Sequence, residues 1–225
     1  MSDDELFRAA QRGDVGTARR CLEQLLQEGA PLDVFRLVLR VAIWNDHGEL
    51  VGEIVRLVTH AWTGRPYRGM LGLAARRGST AAAHVLIQCG AFSGLHIGRA
   101  LQWAATFGHA ATAALLIPHA ASASSLRTAL AAAAADGPSR CVRVLIRCRA
   151  DVNARCSCVR WAPLHEAANR GRTRVVKQLL YCKATVDGRS LYGRTPLDLA
   201  IQARHFATAS VLRRFAEKEN KETTA

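Results

Sequence analysis

The sequence predicts an all-α solenoid of stacked helix-turn-helix hairpins, and three observations carry that prediction. A repeated unit recurs along the chain, with a spacing of 33 to 34 residues where it is clearest. Each copy pairs small residues with a glycine a few positions on, followed by an apolar trio. The composition is 49% apolar but only 6% aromatic and rich in alanine, which favours small, closely packed helices over a sheet built from Val, Ile, Tyr and Phe.

The period is clearest near the C-terminus. Ala162-Pro163-Leu164-His165-Glu166-Ala167-Ala168 lies over Thr195-Pro196-Leu197-Asp198-Leu199-Ala200-Ile201 with 33 residues between the prolines. The run from Cys141 to Val152 lies 34 residues ahead of the matching run from Val175 to Val186. Upstream the unit reads Ala74-Ala75 with Gly78 and Val85-Leu86-Ile87, then Ala104-Ala105 with Gly108 and Leu115-Leu116-Ile117. Ala133-Ala134 with Gly137 and Val144-Leu145-Ile146 follow, then Ala167-Ala168 with Gly171 and Gln178-Leu179-Leu180. A looser, acidic copy begins the chain at Ala9-Ala10 and Gly13, and residues 37–66 hold a degenerate copy with a stretched middle.

Such a unit has a direct physical reading. Proline at the first helical position pre-sets φ, the alanine pair buries a short helix, glycine permits the reversal and a second helix runs back. One hairpin cannot bury its own apolar face, so the units must stack. The spacing predicts a single domain over 1–216, in units 3–36, 37–66, 67–97, 98–125, 126–157, 158–190 and 191–216. The polar stretch 217–225 is expected to fray.

Charge is unevenly spread. The formal total is +13, but residues 1–60 carry a net −3 and residues 61–225 a net +16. Arginine supplies 27 of the 31 basic side chains, and its planar fork suits carboxylates and phosphates. That balance points to an anionic partner. The acidic start lacks the basic flank of a secretory signal, and no apolar run reaches the roughly 18 residues that span a bilayer. The expectation is an intracellular monomer, cytoplasmic or nuclear, with no membrane contact. Seven cysteines without a C-x-x-C pair read as reduced thiols, and no cofactor is called for.

Ala-Pro-Leu-His-Glu-Ala-Ala at 162–168 and Thr-Pro-Leu-Asp-Leu-Ala at 195–200 resemble the ankyrin signature T-P-L-H-x-A, and Ala150-Asp151-Val152-Asn153-Ala154 is similar to its G-A-D-V-N-A tail. The resemblance covers roughly residues 3–216, strongly in the last two units and through spacing elsewhere. Ala162 lacks the threonine hydroxyl, Asp198 replaces histidine and Arg204 stands where glycine is usual. The resemblance implies β-turn fingers between hairpins and a concave face, made by fingers and first helices, where partners bind.

Mapped residue by residue, the finger positions just before the first helix would be Arg68, Arg127, Trp161, Tyr192 and Arg194. The two positions after each alanine pair would be Arg76-Arg77, Thr106-Phe107 and Asn169-Arg170, with Gln11-Arg12 in the capping unit. Arginine interspersed with aromatics is the composition of interface hot spots. His165 resembles the histidine that bonds within and between repeats, which is a structural role. Cys89, Cys148 and Cys182 share one position in three of the units; the resemblance implies repeats stacked about 10 Å apart, too far for shared ligation at about 2.3 Å per Zn–S bond.

No Walker loop, H-E-x-x-H or G-x-S-x-G motif occurs, so the reading is non-enzymatic. The sequence therefore predicts a scaffold that binds an acidic or phosphorylated segment of another protein. The alternative is a nucleic-acid-binding module using the arginine-rich surface of residues 61–215. A third possibility is that the charge serves solubility alone.

Overall fold

A computed structural model describes residues 3–58, 68–89, 92–120, 122–156 and 159–223. Among them, helices run in pairs: α1 Asp3–Arg12 with α2 Val15–Gln27, α3 Leu32–Trp44 with α4 Gly48–Val58, and α5 Arg68–Arg77 with α6 Thr80–Gln88. α7 Gly94–Phe107 pairs with α8 Ala110–Leu116, which ends in a 3-10 turn over Ile117–His119. α9 Ala123–Ala135 pairs with α10 Ser139–Arg147, α11 Pro163–Asn169 with α12 Thr173–Tyr181, and α13 Pro196–Gln202 with α14 Phe206–Thr223.

The pairs stack into two layers. Each odd-numbered helix packs on the next odd-numbered one from α1 to α13, and each even-numbered helix on the next even-numbered one from α2 to α14. One apolar cluster runs between the layers from Leu6 to Leu212. Its narrow places are the alanine pairs: Ala74-Ala75, Ala104-Ala105, Ala133-Ala134 and Ala167-Ala168 are all fully buried, so backbones of successive helices approach closely. Leucines of the even-numbered helices, including Leu86, Leu116, Leu145 and Leu179, fill the wider places.

Polar ties link neighbouring hairpins where the apolar layer ends. The His47 ring donates from Nε2 to the Gln11 carbonyl at 3.0 Å, and His109 does the same to the Arg76 carbonyl at 3.0 Å. Hydroxyl pairs bridge Thr80 to Thr112 at 2.9 Å and Thr173 to Thr208 at 2.8 Å. Ser79 Oγ donates to the Asp46 carboxylate, and Arg140 Nε donates to the Gly108 carbonyl at 3.0 Å. The reversal at Gly78, Gly108 and Gly171 uses positive φ, as expected, yet Asp46 and Arg204 hold the equivalent turn at φ 61 and 60.

Where the signature departs from the family pattern at Asp198, the replacement has its own function. The carboxylate accepts the Thr195 N–H and hydroxyl, both at 2.8 Å, while Thr195 Oγ1 accepts the Asp198 N–H at 3.2 Å. The backbone bond from Thr195 is the leading cause that holds the Asp198 carboxyl below its ordinary range. Its folded pKa is depressed, so its stabilisation is present above the unfolded value near 3.8 and disappears as pH falls through the folded value. Asp198 is exposed and Asn keeps one acceptor oxygen, so Asp198→Asn should lower stability by no more than about 0.5 kcal/mol at neutral pH. Paired urea titrations should show that difference shrinking towards zero in acid.

Helix positions correct parts of the sequence reading. The unit edges at 36/37, 97/98, 125/126 and 216/217 fall inside α3, α7, α9 and α14. Alanine pairs and glycines mark the middle of a unit, and without a proline at the first helical position nothing in those units marks its start. Arg127, expected in a finger, is the fifth residue of α9 and half-buried, because Ser122 caps that helix by accepting the Ser125 N–H at 3.2 Å. Arg68, expected likewise before the helix, is the first residue of α5; its side chain lies outside the described residues. α14 continues through Thr223 across the stretch expected to fray.

Well-formed fingers stand between the last three hairpins. Cys156 N–H donates to the Trp161 carbonyl at 2.9 Å in one, and Ser190 N–H to the Arg194 carbonyl at 2.9 Å in the next. They stack through Leu191 N–H to the Val159 carbonyl at 3.0 Å and the Arg155 guanidinium to the Arg189 carbonyl at 3.1 Å. The connections 28–31 and 117–122 are too short for such a finger. At those two connections the helices themselves are presented.

Candidate functional site

The surface of the odd-numbered layer is set by where each helix ends. Because Arg76 reaches the end of α7 and Arg77 the end of α3, the C-terminal ends of these helices share one rim. The unsatisfied carbonyls there favour cations. The Arg76 guanidinium lies 5.2 Å from the Trp103 ring and 5.4 Å from Phe107, and Arg77 lies 3.7 Å above Trp44. Trp103 and Phe107, one turn apart on α7, sit 5.9 Å from each other. Trp44, Trp103 and Phe107 remain 56%, 38% and 47% exposed. This is a continuous line of aromatic and guanidinium groups across three helices, open to solvent.

Of the expected contact residues, the structure brings together Arg76, Arg77 and Phe107. Thr106, next to Phe107, instead turns its hydroxyl onto the Gln102 carbonyl at 2.9 Å. Asn169 and Arg170 close α11 further along, where Arg170 pairs with Asp136 at 3.7 Å and is thus already partly neutralised. Half-buried Glu166 lies near that pair, its carboxyl raised first of all by burial. Trp161 stacks on His165 at 6.5 Å, Tyr192 is exposed on the last finger, and Arg194 Nη1 donates to Gln202 at 2.9 Å. Arg12 is exposed at the end of α1, and neither it nor Arg127 makes a hydrogen bond or ion pair among the described residues. The arginine and aromatic contacts are therefore made between α3, α5 and α7.

Trp44, Trp103, Arg36, Arg40 and Arg99 escaped the sequence reading. They stand mid-helix or at a helix end, and the i, i+4 spacing of Arg36 and Arg40 was the available signal that they share a face. Arg36, Arg40, Arg76, Arg99 and Trp103 line one groove of 580 Å³ over α5. On the opposite layer, a depression of 760 Å³ over α2, α4 and α6 is lined by Glu49 and Glu53. Arg56 also lines that depression and pairs with Glu53 at 3.2 Å, so both signs of charge occur there.

His165 is buried; its Nδ1 accepts the Ala162 N–H at 3.2 Å while Nε2 has no hydrogen-bond partner among the described residues. Burial is the main influence on its pKa and lowers it, partly opposed by backbone groups of Arg194 and Gly188. A neutral, enclosed ring of this kind locks the start of α11. Among the described residues no three His, Cys, Asp or Glu side chains are grouped to hold a metal, and no helix is long and apolar enough to cross a membrane.

Stacked hairpins with a solvent-open line of arginine and aromatic side chains define a repeat-built binding module. The family model for ankyrin repeats in three copies matches residues 71–156 and 155–223. The chain belongs to the ankyrin-repeat family, whose repeats generally mediate protein–protein interaction and are typically non-enzymatic. No curated protein matches the chain.

Proposed function

We propose that this protein is an interaction scaffold whose odd-helix face captures an acidic or phosphorylated segment of another protein. The observation that supports this most is the run of Arg77 on Trp44 and Arg76 on Trp103 and Phe107: held by aromatic rings, these guanidinium groups keep their N–H edges free for bidentate contacts. Preorganised arginine loses less conformational freedom on binding than a free side chain does. The scaffold acts as a monomer in the cytosol or nucleus.

Nucleic-acid binding is the weaker reading. Stacking on bases needs a free ring face, and guanidinium groups lie over Trp44 and Trp103. Replacing Arg76, Arg77, Arg170 and Arg194 together with alanine should abolish partner capture in a pull-down while leaving the helical circular-dichroism signal unchanged. Undiminished capture by that variant would defeat the proposal. In filter-binding titrations at low salt, RNA and DNA should not be retained.

A further inference from the structure

Resting on the scaffold reading and going beyond it, we infer that the groove over α5 is a receptor for a phosphorylated side chain, a phosphoserine or phosphothreonine in an extended segment of the partner protein. Two independent observations lead there.

The first is charge. Arg40, Arg76 and Arg99 line one groove, no Asp or Glu lines it among the described residues, and no carboxylate pairs with any of the three. Arg36 at its edge is different, since it pairs with Asp33 at 3.4 Å. One carboxylate satisfies one arginine fork, whereas a phosphomonoester brings a charge of about −2 and three acceptor oxygens, enough for several forks at once. A space of 580 Å³ lined by three arginines that pair with no carboxylate among the described residues suits the denser anion.

The second is the floor. Gly69 and Gly72 lie nearly one turn apart on the groove side of α5, and a Cβ built at either would meet no described atom within 4 Å. A helix interior disfavours glycine, yet bare backbone lets an occupant come nearer the helix than any side chain would permit. From Gly69 to Arg76 the helix rises about 10 Å, the length of about three extended residues. Trp103 supplies an apolar wall for the residue beside the phosphate.

The test is retention of peptides on the immobilised full chain. The probe is a degenerate pool fixed at a central phosphoserine, beside matched pools fixed at serine and at glutamate. Retention of the phosphoserine pool should exceed both others by about tenfold. Arg40→Ala with Arg99→Ala should bring it down to the serine level. Gly72→Leu, whose Cβ meets no described atom within 4 Å, should do the same with no fall in Tm. Equal retention of the phosphoserine and glutamate pools, or phosphoserine selectivity that survives both variants, would overturn the assignment. If no pool is retained while the native partner is captured by the wild type and lost from the quadruple arginine variant, the phosphate assignment falls and the scaffold reading stands. If that variant captures the partner undiminished, the scaffold reading falls, and the pools decide the phosphate site separately.

Discussion

Phe35→Ala should lower the unfolding free energy of the N-terminal hairpins by about 4 kcal/mol, since it removes a fully buried aromatic ring and leaves a cavity. Phe35 lies on α3, between α1 and α5 in the odd-numbered layer. In a stacked array each hairpin touches only its neighbours, so the loss stays local. Native-state hydrogen exchange should show α1 to α4 opening at much lower free energy, while α11 to α14 keep their protection. A uniform fall along the chain would mean that the hairpins behave as one cooperative globule.

The second large effect lies at the centre of the array. Gly137 is buried between helices, and a Cβ there would fall inside the van der Waals contact distance of the Ala105 carbonyl oxygen and 2.9 Å from Ala133 Cα. Both obstacles are backbone, so neither can swing aside as a flexible side chain would. Gly137→Ala should therefore destabilise the junction of α7 and α9 by about 3 kcal/mol. Because that junction joins the two halves, denaturant unfolding should split from one transition into two. One sharp transition with an unchanged midpoint would show that the junction relaxes freely.

Much of the fold was legible because the residues that carry it have few physical alternatives. Alanine pairs that allow close helix contact, glycines with positive φ at 78, 108 and 171, and prolines opening α11 and α13 all leave plain marks in the sequence. Helix starts in the middle units left none, which is why Arg127 was expected in a finger and sits within α9. The site was legible only in part. Arg76, Arg77 and Phe107 follow from their place after an alanine pair, whereas Arg40, Arg99 and Trp103 become neighbours only when three helices from different units stack. Charge counted along the chain also misled, because the mildly acidic first quarter still places Arg36 and Arg40 in the groove over α5.

The two helix layers make opposite predictions for the bound state. Oxidative footprinting of the full chain, alone and with its captured partner, compares the Trp44 and Trp103 rings with carboxylate labelling of Glu49 and Glu53. Binding on the odd-helix face predicts strong protection of both tryptophans and unchanged labelling of both glutamates. Tryptophans that stay fully reactive while Glu49 and Glu53 become shielded would contradict it.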